Sequence, residues 1–150
     1  MRLSLQAQYA ICGMFDLAYN GAGDPIQVRV IGERQRIPAR YLEQIFQRLR
    51  RARLVTGKRG PGGGYVLARP PEEISLRDVV EAVEGPLDGE LAGGPPPRDQ
   101  EVPCRPHFLW RQVAGGLAES LERVDLEGLC REAARSAVPR AHPDSHMYFI

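Results

Sequence analysis

Residues 38–67 read PARYLEQIFQRLRRARLVTGKRGPGGGYVL, and this stretch decides the fold. Its second half predicts a β-hairpin, because two short apolar runs, 54–56 and 65–67, flank a glycine-rich segment. Its first half predicts an amphipathic helix that begins near Pro38, a residue favoured at the first helical position. The apolar residues of that helix recur at the spacing of one buried stripe, and they are Leu42, Ile45, Phe46 and Leu49.

Helical spacing also organises the chain on the N-terminal side of this stretch. Residues 4–19 predict a first helix with Ser4 as its N-cap, and a short second helix is predicted around residues 27–35. After the hairpin, residues 75–78 (SLRD) form a capping box that opens another helix. Helix, helix, basic amphipathic helix and basic hairpin, in that order, predict a winged helix-turn-helix over residues 1–84.

The second half of the chain is predicted to be a loop, a long helix and a tail. Residues 85–103 hold four Gly and five Pro, so they offer little apolar area to offset the entropy of ordering. Residues 104–136 predict a long helix, over about 106–124, and a short terminal helix. The apolar stripe of the long helix must dock on the first domain or on a second copy of the chain. Residues 137–150 predict a flexible tail.

Positive charge is concentrated in one segment, although the formal net charge of the chain is only +1. Residues 34–59 contain nine basic residues and one acid, Glu43, whereas the remainder contains 11 basic and 18 acidic residues. Like charges packed so densely favour a polyanionic partner, and a nucleic-acid backbone is such a partner. A merely solvated helix face is the alternative. The position of the segment within the predicted helix-turn-helix favours DNA.

The outer face of the predicted third helix carries the candidate base-reading side chains. Three of them are four residues apart and are predicted to form one exposed ridge, in which Arg pairs with guanine and Gln with adenine; they are Arg40, Gln44 and Arg48. Tyr41 and Glu43 belong to the same predicted surface. Glu43 fits as an acceptor for cytosine N4 or as a partner that orients an arginine. Gln47 and Arg51 also lie on this outer face.

The tip of the hairpin adds a second candidate DNA contact. Lys58, Arg59 and Gly60 are placed for a phosphate group or for the minor groove. The glycine cluster also permits a different interpretation, a loop that cradles the phosphates of a nucleotide. Such a loop ends in Gly-Lys-Ser/Thr before a helix, whereas this one runs into residues 65–67 (YVL), which predict a strand. We therefore interpret the hairpin as a wing.

Six stretches of this sequence also match a known family, and they are Leu17-Ala18, 37–46 (IPARYLEQIF), Leu49-Arg50, Leu54-Val55, 59–68 (RGPGGGYVLA) and 74–85 (ISLRDVVEAVEG). On these residues the chain resembles the IscR-type winged-helix transcription regulators. That family includes the iron–sulphur cluster regulator, the nitric-oxide-sensing repressor and the cysteine-metabolism repressor. The resemblance covers about residues 1–125. It implies a mainly α fold with a small β wing and a long C-terminal dimerisation helix, in a homodimer on a palindromic operator of double-stranded DNA.

The resemblance also raises the question of an iron–sulphur cluster. Many members hold a cluster with three cysteines in the loop before the long helix, and some add a histidine three residues after the last cysteine. Cys104 and His107 match that last element, but residues 85–103 contain no cysteine, and two ligands per protomer do not hold a cluster. In relatives with unusual clusters the first helix of the partner subunit supplies a ligand. The resemblance thus implies an atypical cross-subunit site in which Cys12 or Gln8 joins Cys104 and His107.

Other roles for these residues stay open. On a helical wheel Cys12 lies away from the apolar arc of the first helix, beside Asp16 and Tyr19, and it also fits a small side chain in a helix interface. Cys130 lies among apolar positions and is interpreted as a packing thiol. The alternative to a cluster sensor is a cluster-free regulator of the same fold that responds to a small molecule, a partner protein or oxidation of Cys104.

Several classes of protein are disfavoured by the sequence. The N-terminus lacks the apolar region of a secretory signal, and no apolar run approaches the roughly 18 residues of a membrane span. Three scattered cysteines do not make a disulfide framework. An enzyme that used Cys104 and His107 would need a formed pocket and an orienting third group, and Cys104 lies in the Pro-rich loop region. We expect a cytoplasmic, non-membrane protein that is not an enzyme.

Overall fold

The computed structural model of the chain describes residues 3–87 and 107–141. Most of these residues are helical, and a two-stranded antiparallel sheet follows the third helix, as predicted for a mainly α fold with a small β wing. Most of the Gly/Pro-rich segment predicted as a loop lies outside the described residues. The elements in chain order are α1 (Leu5–Gly21), α2 (Val28–Gln35), α3 (Ala39–Arg51), β1 (Val55–Lys58), β2 (Gly64–Leu67), a 3-10 turn (Pro71–Glu73), α4 (Leu76–Glu84), α5 (His107–Glu122) and α6 (Leu126–Arg135).

Helix α1 is the central element, since it contacts α2, α3, α4 and α6. Ser4 caps its N-terminus as predicted, because the Ser4 Oγ accepts a hydrogen bond from the Ala7 N–H at 3.1 Å. The buried face includes Ala10, Met14 and Leu17. Small residues on this face let the neighbouring helices approach closely: a Cβ at Gly13 would lie 2.9 Å from the ring of Phe46 in α3.

Helices α2 and α3 form the helix-turn-helix. Arg36, between them, adopts a left-handed conformation with φ 53°, and the next residue, Ile37, donates its N–H to the Gly32 carbonyl at 2.9 Å. A Cβ at Gly32 would lie 2.7 Å from the Ile37 carbonyl oxygen, so the turn requires glycine there. Pro38 is the N-cap of α3 rather than its first helical residue. The predicted buried stripe of α3 is confirmed for Leu42, Ile45, Phe46 and Leu49.

The hairpin packs against the helices as a wing. Val55–Lys58 pairs with Gly64–Leu67, which confirms the predicted hairpin; its first strand begins one residue later and ends two residues later than the predicted run 54–56. Ile26, in the loop before α2, adds an isolated bridge: its N–H donates to the Tyr65 carbonyl at 3.0 Å, and its carbonyl accepts from the Tyr65 N–H at 2.8 Å. The Tyr65 ring also lies 5.0 Å from the ring of Phe46, centroid to centroid. The wing is therefore fixed to the loop before α2 and to α3.

The C-terminal helices dock on the first domain. The predicted capping box of α4 is confirmed, since the Ser75 Oγ accepts from the Asp78 N–H at 3.1 Å and the Asp78 Oδ2 accepts from the Ser75 N–H at 3.0 Å. Ser75 also forms an antiparallel bridge with Asp125, the N-cap of α6. Ala118 of α5 and Leu126 of α6 are buried in the same apolar core as α1 and α4.

The first residues of the predicted tail are held against α1. The Arg140 guanidinium lies 4.3 Å from the centroid of the Tyr19 ring and donates to the Tyr19 carbonyl at 2.9 Å. The Ala141 N–H donates to the side-chain carbonyl of Asn20 at 2.8 Å. An aromatic face and an unused carbonyl at the end of α1 therefore bind the first residues of the segment predicted as a tail. Residues 142–150 lie outside the described part of the chain.

Candidate nucleic-acid interface

The outer face of α3 presents polar side chains to solvent, opposite the buried stripe. Glu43 and Gln44, both predicted to contact DNA, are exposed on this face. Within residues 3–87 and 107–141 neither side chain makes a hydrogen bond or an ion pair. Their donor and acceptor atoms are therefore available to an external partner.

Arg40 and Tyr41 lie at the N-terminal end of this face and contact each other. The Arg40 guanidinium lies 4.8 Å from the centroid of the Tyr41 ring, and it donates to the Tyr41 hydroxyl at 3.1 Å. Tyr41 also contacts Tyr9 of α1, with ring centroids 6.5 Å apart, and nevertheless stays exposed. The stack holds the Arg40 side chain close to the helix, which lowers the entropy cost of presenting its charge to a ligand.

The Arg48 side chain contacts α1 and α4. Its Nη1 donates to the Gln6 Oε1 at 2.8 Å and to the Val83 carbonyl, near the C-terminus of α4, at 3.0 Å. A cation is favourable there because the last carbonyls of a helix carry partial negative charge. The predicted role of Arg48 in one reading ridge with Arg40 and Gln44 stays a prediction. Spacing aligned the three Cα positions, but tertiary contacts with α1 and α4 set the direction of the guanidinium.

The wing tip presents two cations on an exposed turn. Lys58 ends β1, and Arg59 and Gly60 follow it; all three are exposed, as predicted. The turn closes through a hydrogen bond from the Gly63 N–H to the Gly60 carbonyl at 2.8 Å. Gly60 adopts φ 93°, a conformation that favours glycine. In the described ranges neither Lys58 nor Arg59 has an acidic partner, so both charges are available to an anion.

A buried ion pair fixes α2, and hence the helix-turn-helix, on α1. The fully buried Asp16 carboxylate accepts from Arg34 Nη2 at 2.5 Å and Arg34 Nε at 3.2 Å, and from Gln35 Nε2 at 2.9 Å. Sequence reasoning placed Asp16 and Tyr19 away from the apolar arc, but both are buried. The helical wheel could not show this, since the covering residues come from α2 and from the C-terminal segment.

The cysteines of the described ranges do not form a metal site. Cys12 is half-buried against the core of its own chain, and burial raises the pKa of its thiol. Cys130 is buried beside Tyr19, as predicted for a packing thiol; burial, and then the charge of Glu127, raise the pKa of its thiol, which Arg140 lowers in part. Raised pKa values disfavour the thiolate, the form that binds metal.

The predicted cluster ligands cannot be assembled from the described part of the chain. Residues 3–87 and 107–141 contain no group of three His, Cys, Asp or Glu side chains that could hold a metal ion. Cys104 lies outside these ranges, and His107 begins α5. Gln8, the other candidate from α1, is exposed and donates to the Leu3 carbonyl at 2.8 Å. The residues that the structure describes therefore do not fit an iron–sulphur cluster by themselves.

A helix-turn-helix with an exposed polar outer face, followed by a basic wing, defines a winged-helix transcription regulator that binds DNA. Known proteins agree with this class. The family described as "Rrf2: Iron-dependent Transcriptional regulator" matches residues 3–132. The HTH-type transcriptional regulator IscR of Cronobacter sakazakii is 35% identical over 147 residues, which cover 97% of this chain and 91% of that protein. IscR of Escherichia coli O1:K1 is 37% identical over 126 residues, covering 84% of this chain and 78% of that one.

Solved structures of two such regulators superpose on this chain. IscR of T. potens has a TM-score of 0.74 at 30% identity and covers 99% of this chain and 97% of its own. CymR, the global cysteine regulator of B. subtilis, has a TM-score of 0.71 at 30% identity, with coverage of 88% and 98%. The chain belongs to the Rrf2 family of transcriptional regulators, which confirms the resemblance and the prediction that it is not an enzyme. In the described ranges no helix has the length and apolar character needed to cross a bilayer.

Proposed function

We propose that this protein recognises specific DNA sequences by inserting α3 into the major groove and resting its wing on the neighbouring backbone. The observation that carries the proposal is the exposed outer face of α3 beside the basic wing, on which Glu43 and Gln44 have no partner among the residues that the structure describes. Glu43 and Gln44 are base readers, since carboxylate accepts from cytosine and amide pairs with adenine. The Arg40–Tyr41 pair positions the helix, and Lys58, Arg59 and Gly60 contact phosphate or the minor groove.

We also propose that the protein acts in the cytoplasm as a homodimer on a palindromic operator. The support is an apolar surface on the N-terminal half of α5, where Phe108 is 60%, Leu109 41% and Val113 47% exposed. Apolar side chains clustered on one solvent-facing helix are typical of an interface. Two copies related by a two-fold axis present two α3 helices and two wings, so their operator would have matching half-sites.

Gln44→Ala tests the base-reading role of α3. We expect the variant to lose its preference at one base pair per half-site, at a cost of about 1–3 kcal/mol of discrimination, because the bidentate pair with adenine is removed. The fold should be unaffected, since Gln44 is exposed and makes no described hydrogen bond. Fluorescence anisotropy titrations of operator variants measure the effect. Arg131→Ala, an exposed residue of α6, is the control; an equal loss of affinity on operator and random DNA for Gln44→Ala would argue against a base contact.

A second proposal concerns the signal to which this regulator responds. An iron–sulphur cluster is supported by the Cys104 and His107 pair of the sequence and by the iron-dependent description of the family. When bound, such a cluster supplies sensitivity to oxidants, iron supply or nitric oxide. The cluster-free alternative, in which a small molecule, a partner protein or thiol oxidation is the signal, is supported by the absence of cysteine from residues 85–103 and by the half-buried position of Cys12.

Anaerobic purification distinguishes the cluster-containing sensor from the cluster-free regulator. If a cluster is present, the protein is coloured and contains iron and acid-labile sulphide; we expect Cys104→Ala to lose both and Cys130→Ala to keep both, because Cys130 is a buried packing thiol. Loss in Cys12→Ala would place the first helix in the site. Colourless, iron-free protein that binds its operator would identify the cluster-free regulator.

A further inference from the structure

The α3 side chains that point furthest from the buried core form a ridge. This ridge differs from the one that four-residue spacing predicted. At about 100° per residue, four exposed residues fall within an arc of about 60° centred opposite the buried stripe. They are Arg40, Gln44, Gln47 and Arg51. Arg48 lies about 40° outside this arc, and its guanidinium is bound to Gln6 and to the Val83 carbonyl. The outward ridge therefore continues through Gln47 and Arg51.

Gln47 and Arg51 have no structural role within the described part of the chain. Both are exposed, and in residues 3–87 and 107–141 neither makes a hydrogen bond or an ion pair. This contrasts with the other arginines that point toward the body of the protein: Arg34 binds Asp16, and Arg48 binds α1 and α4. The two residues thus keep their full set of donors for a ligand on the outer face of α3.

The chemistry along the ridge changes from its centre to its ends. Two amides occupy the middle, and a guanidinium stands at each end. From Arg40 to Arg51 the helix rises about 16 Å, which spans roughly five base-pair steps of 3.4 Å. Amides discriminate adenine by a bidentate pair at N7 and N6, whereas a contact between a cation and a phosphate group carries no sequence information. Arg51 also adjoins Arg50 and Arg53, which are exposed at the same end of α3, so this end suits phosphate.

We propose that Gln47 is a second base-reading amide and that Arg51 anchors the C-terminal end of α3 on a phosphate group, while Arg48 positions α3 and reads no base. This inference rests on the proposed insertion of α3 into the major groove. Gln47 lies three residues beyond Gln44, a rise of about 4.5 Å, so its base pair is one or two steps from that of Gln44. The protein would then read adenines at two nearby positions of each half-site.

Selection from a double-stranded DNA library with a randomised segment tests this assignment on the purified full-length protein. We expect Gln47→Ala to select a motif that differs from the wild-type motif at one position per half-site, with discrimination there reduced roughly 5- to 150-fold. Arg51→Ala should select the wild-type motif, bind selected and random DNA equally less tightly, and lower the slope of log K against log salt by about 0.9. Arg131→Ala, an exposed arginine of α6, is the matched control that should change neither.

Three outcomes would overturn the inference while leaving the proposed function intact: a wild-type motif for Gln47→Ala when Gln44→Ala alters it, an unchanged salt slope for Arg51→Ala, or a single-position change for Arg48→Ala. Failure of the wild-type protein to select any motif would instead contradict the proposed function itself. Thermal unfolding of each variant provides the structural readout. A Gln47→Ala protein that unfolds with the wild-type midpoint and selects an altered motif supports a base contact rather than a change in fold.

Discussion

Asp16→Ala is expected to lower the free energy of unfolding by about 3–5 kcal/mol. The substitution removes a fully buried carboxylate and leaves the partly buried Arg34 guanidinium without its counter-charge. It also removes the acceptor of the Gln35 amide. Both donors lie at the C-terminal end of α2, directly before the turn into α3. The loss therefore falls on the contact that orients the helix-turn-helix, and DNA affinity should fall with stability.

Urea denaturation followed by far-ultraviolet circular dichroism measures this loss. Glu33→Ala is the matched control, because it breaks an ion pair of the same α2 helix, between Arg29 and Glu33, whose side chains are 51% and 47% exposed. An exposed i,i+4 pair contributes about 0.5 kcal/mol or less. A midpoint for Asp16→Ala that matches the midpoint for Glu33→Ala would show that the buried pair does not hold α2 in place.

Gly64→Ala is expected to cost about 3 kcal/mol or more and to release the wing from the helices. Gly64 adopts φ 147°, and a Cβ there would lie 2.4 Å from the carbonyl carbon and oxygen of Ile26. These are backbone atoms, so no side-chain rotation relieves the clash. The two hydrogen bonds between Ile26 and Tyr65 would be lost. Since the wing carries Lys58 and Arg59, DNA affinity should fall as well.

The neighbouring strand offers a control of the same kind. A Cβ at Gly57 in β1 would meet the Tyr65 ring at 3.6 Å, an ordinary contact, and this glycine has no positive φ. Gly57→Ala is therefore expected to change stability by less than about 1 kcal/mol. Thermal unfolding and limited proteolysis at the hairpin compare the two variants. Equal midpoints and equal resistance to cleavage would contradict the requirement for glycine at Gly64.

Much of the fold could be predicted from local patterns. The stripe of α3 followed from helical spacing, the start of α4 from the SLRD capping box, and the hairpin from glycine between two apolar runs, because each pattern depends on neighbours in sequence. The anchoring of Arg140 on Tyr19 could not be predicted, since it joins residues 121 positions apart. The buried state of Asp16 was missed for the same reason, because its partners lie in a different helix.

The candidate DNA interface likewise has features that could be predicted from local patterns and features that could not. Exposure of Gln44, Lys58 and Arg59 followed from amphipathic spacing and turn chemistry. The direction of the Arg48 side chain did not, because it is set by Gln6 and the end of α4. Helical spacing also placed Gln47 and Arg51 on the outer face, but it did not show that Arg48 has partners within the protein and that these two residues have none in the described ranges. The ligand set of a cluster stays a prediction, since Cys104 lies outside the described residues.

The central claim is that α3 and the wing together bind duplex DNA. The salt dependence of DNA binding is its most direct test. The purified protein is titrated against a labelled duplex from the selected library at several salt concentrations, beside a Lys58→Ala/Arg59→Ala variant. We predict tight binding at low salt that weakens as salt rises, with a log–log slope reduced by about 0.9 for each of the two cations that contacts phosphate. No complex with any fragment at low salt, or an identical slope for the variant, would contradict the claim.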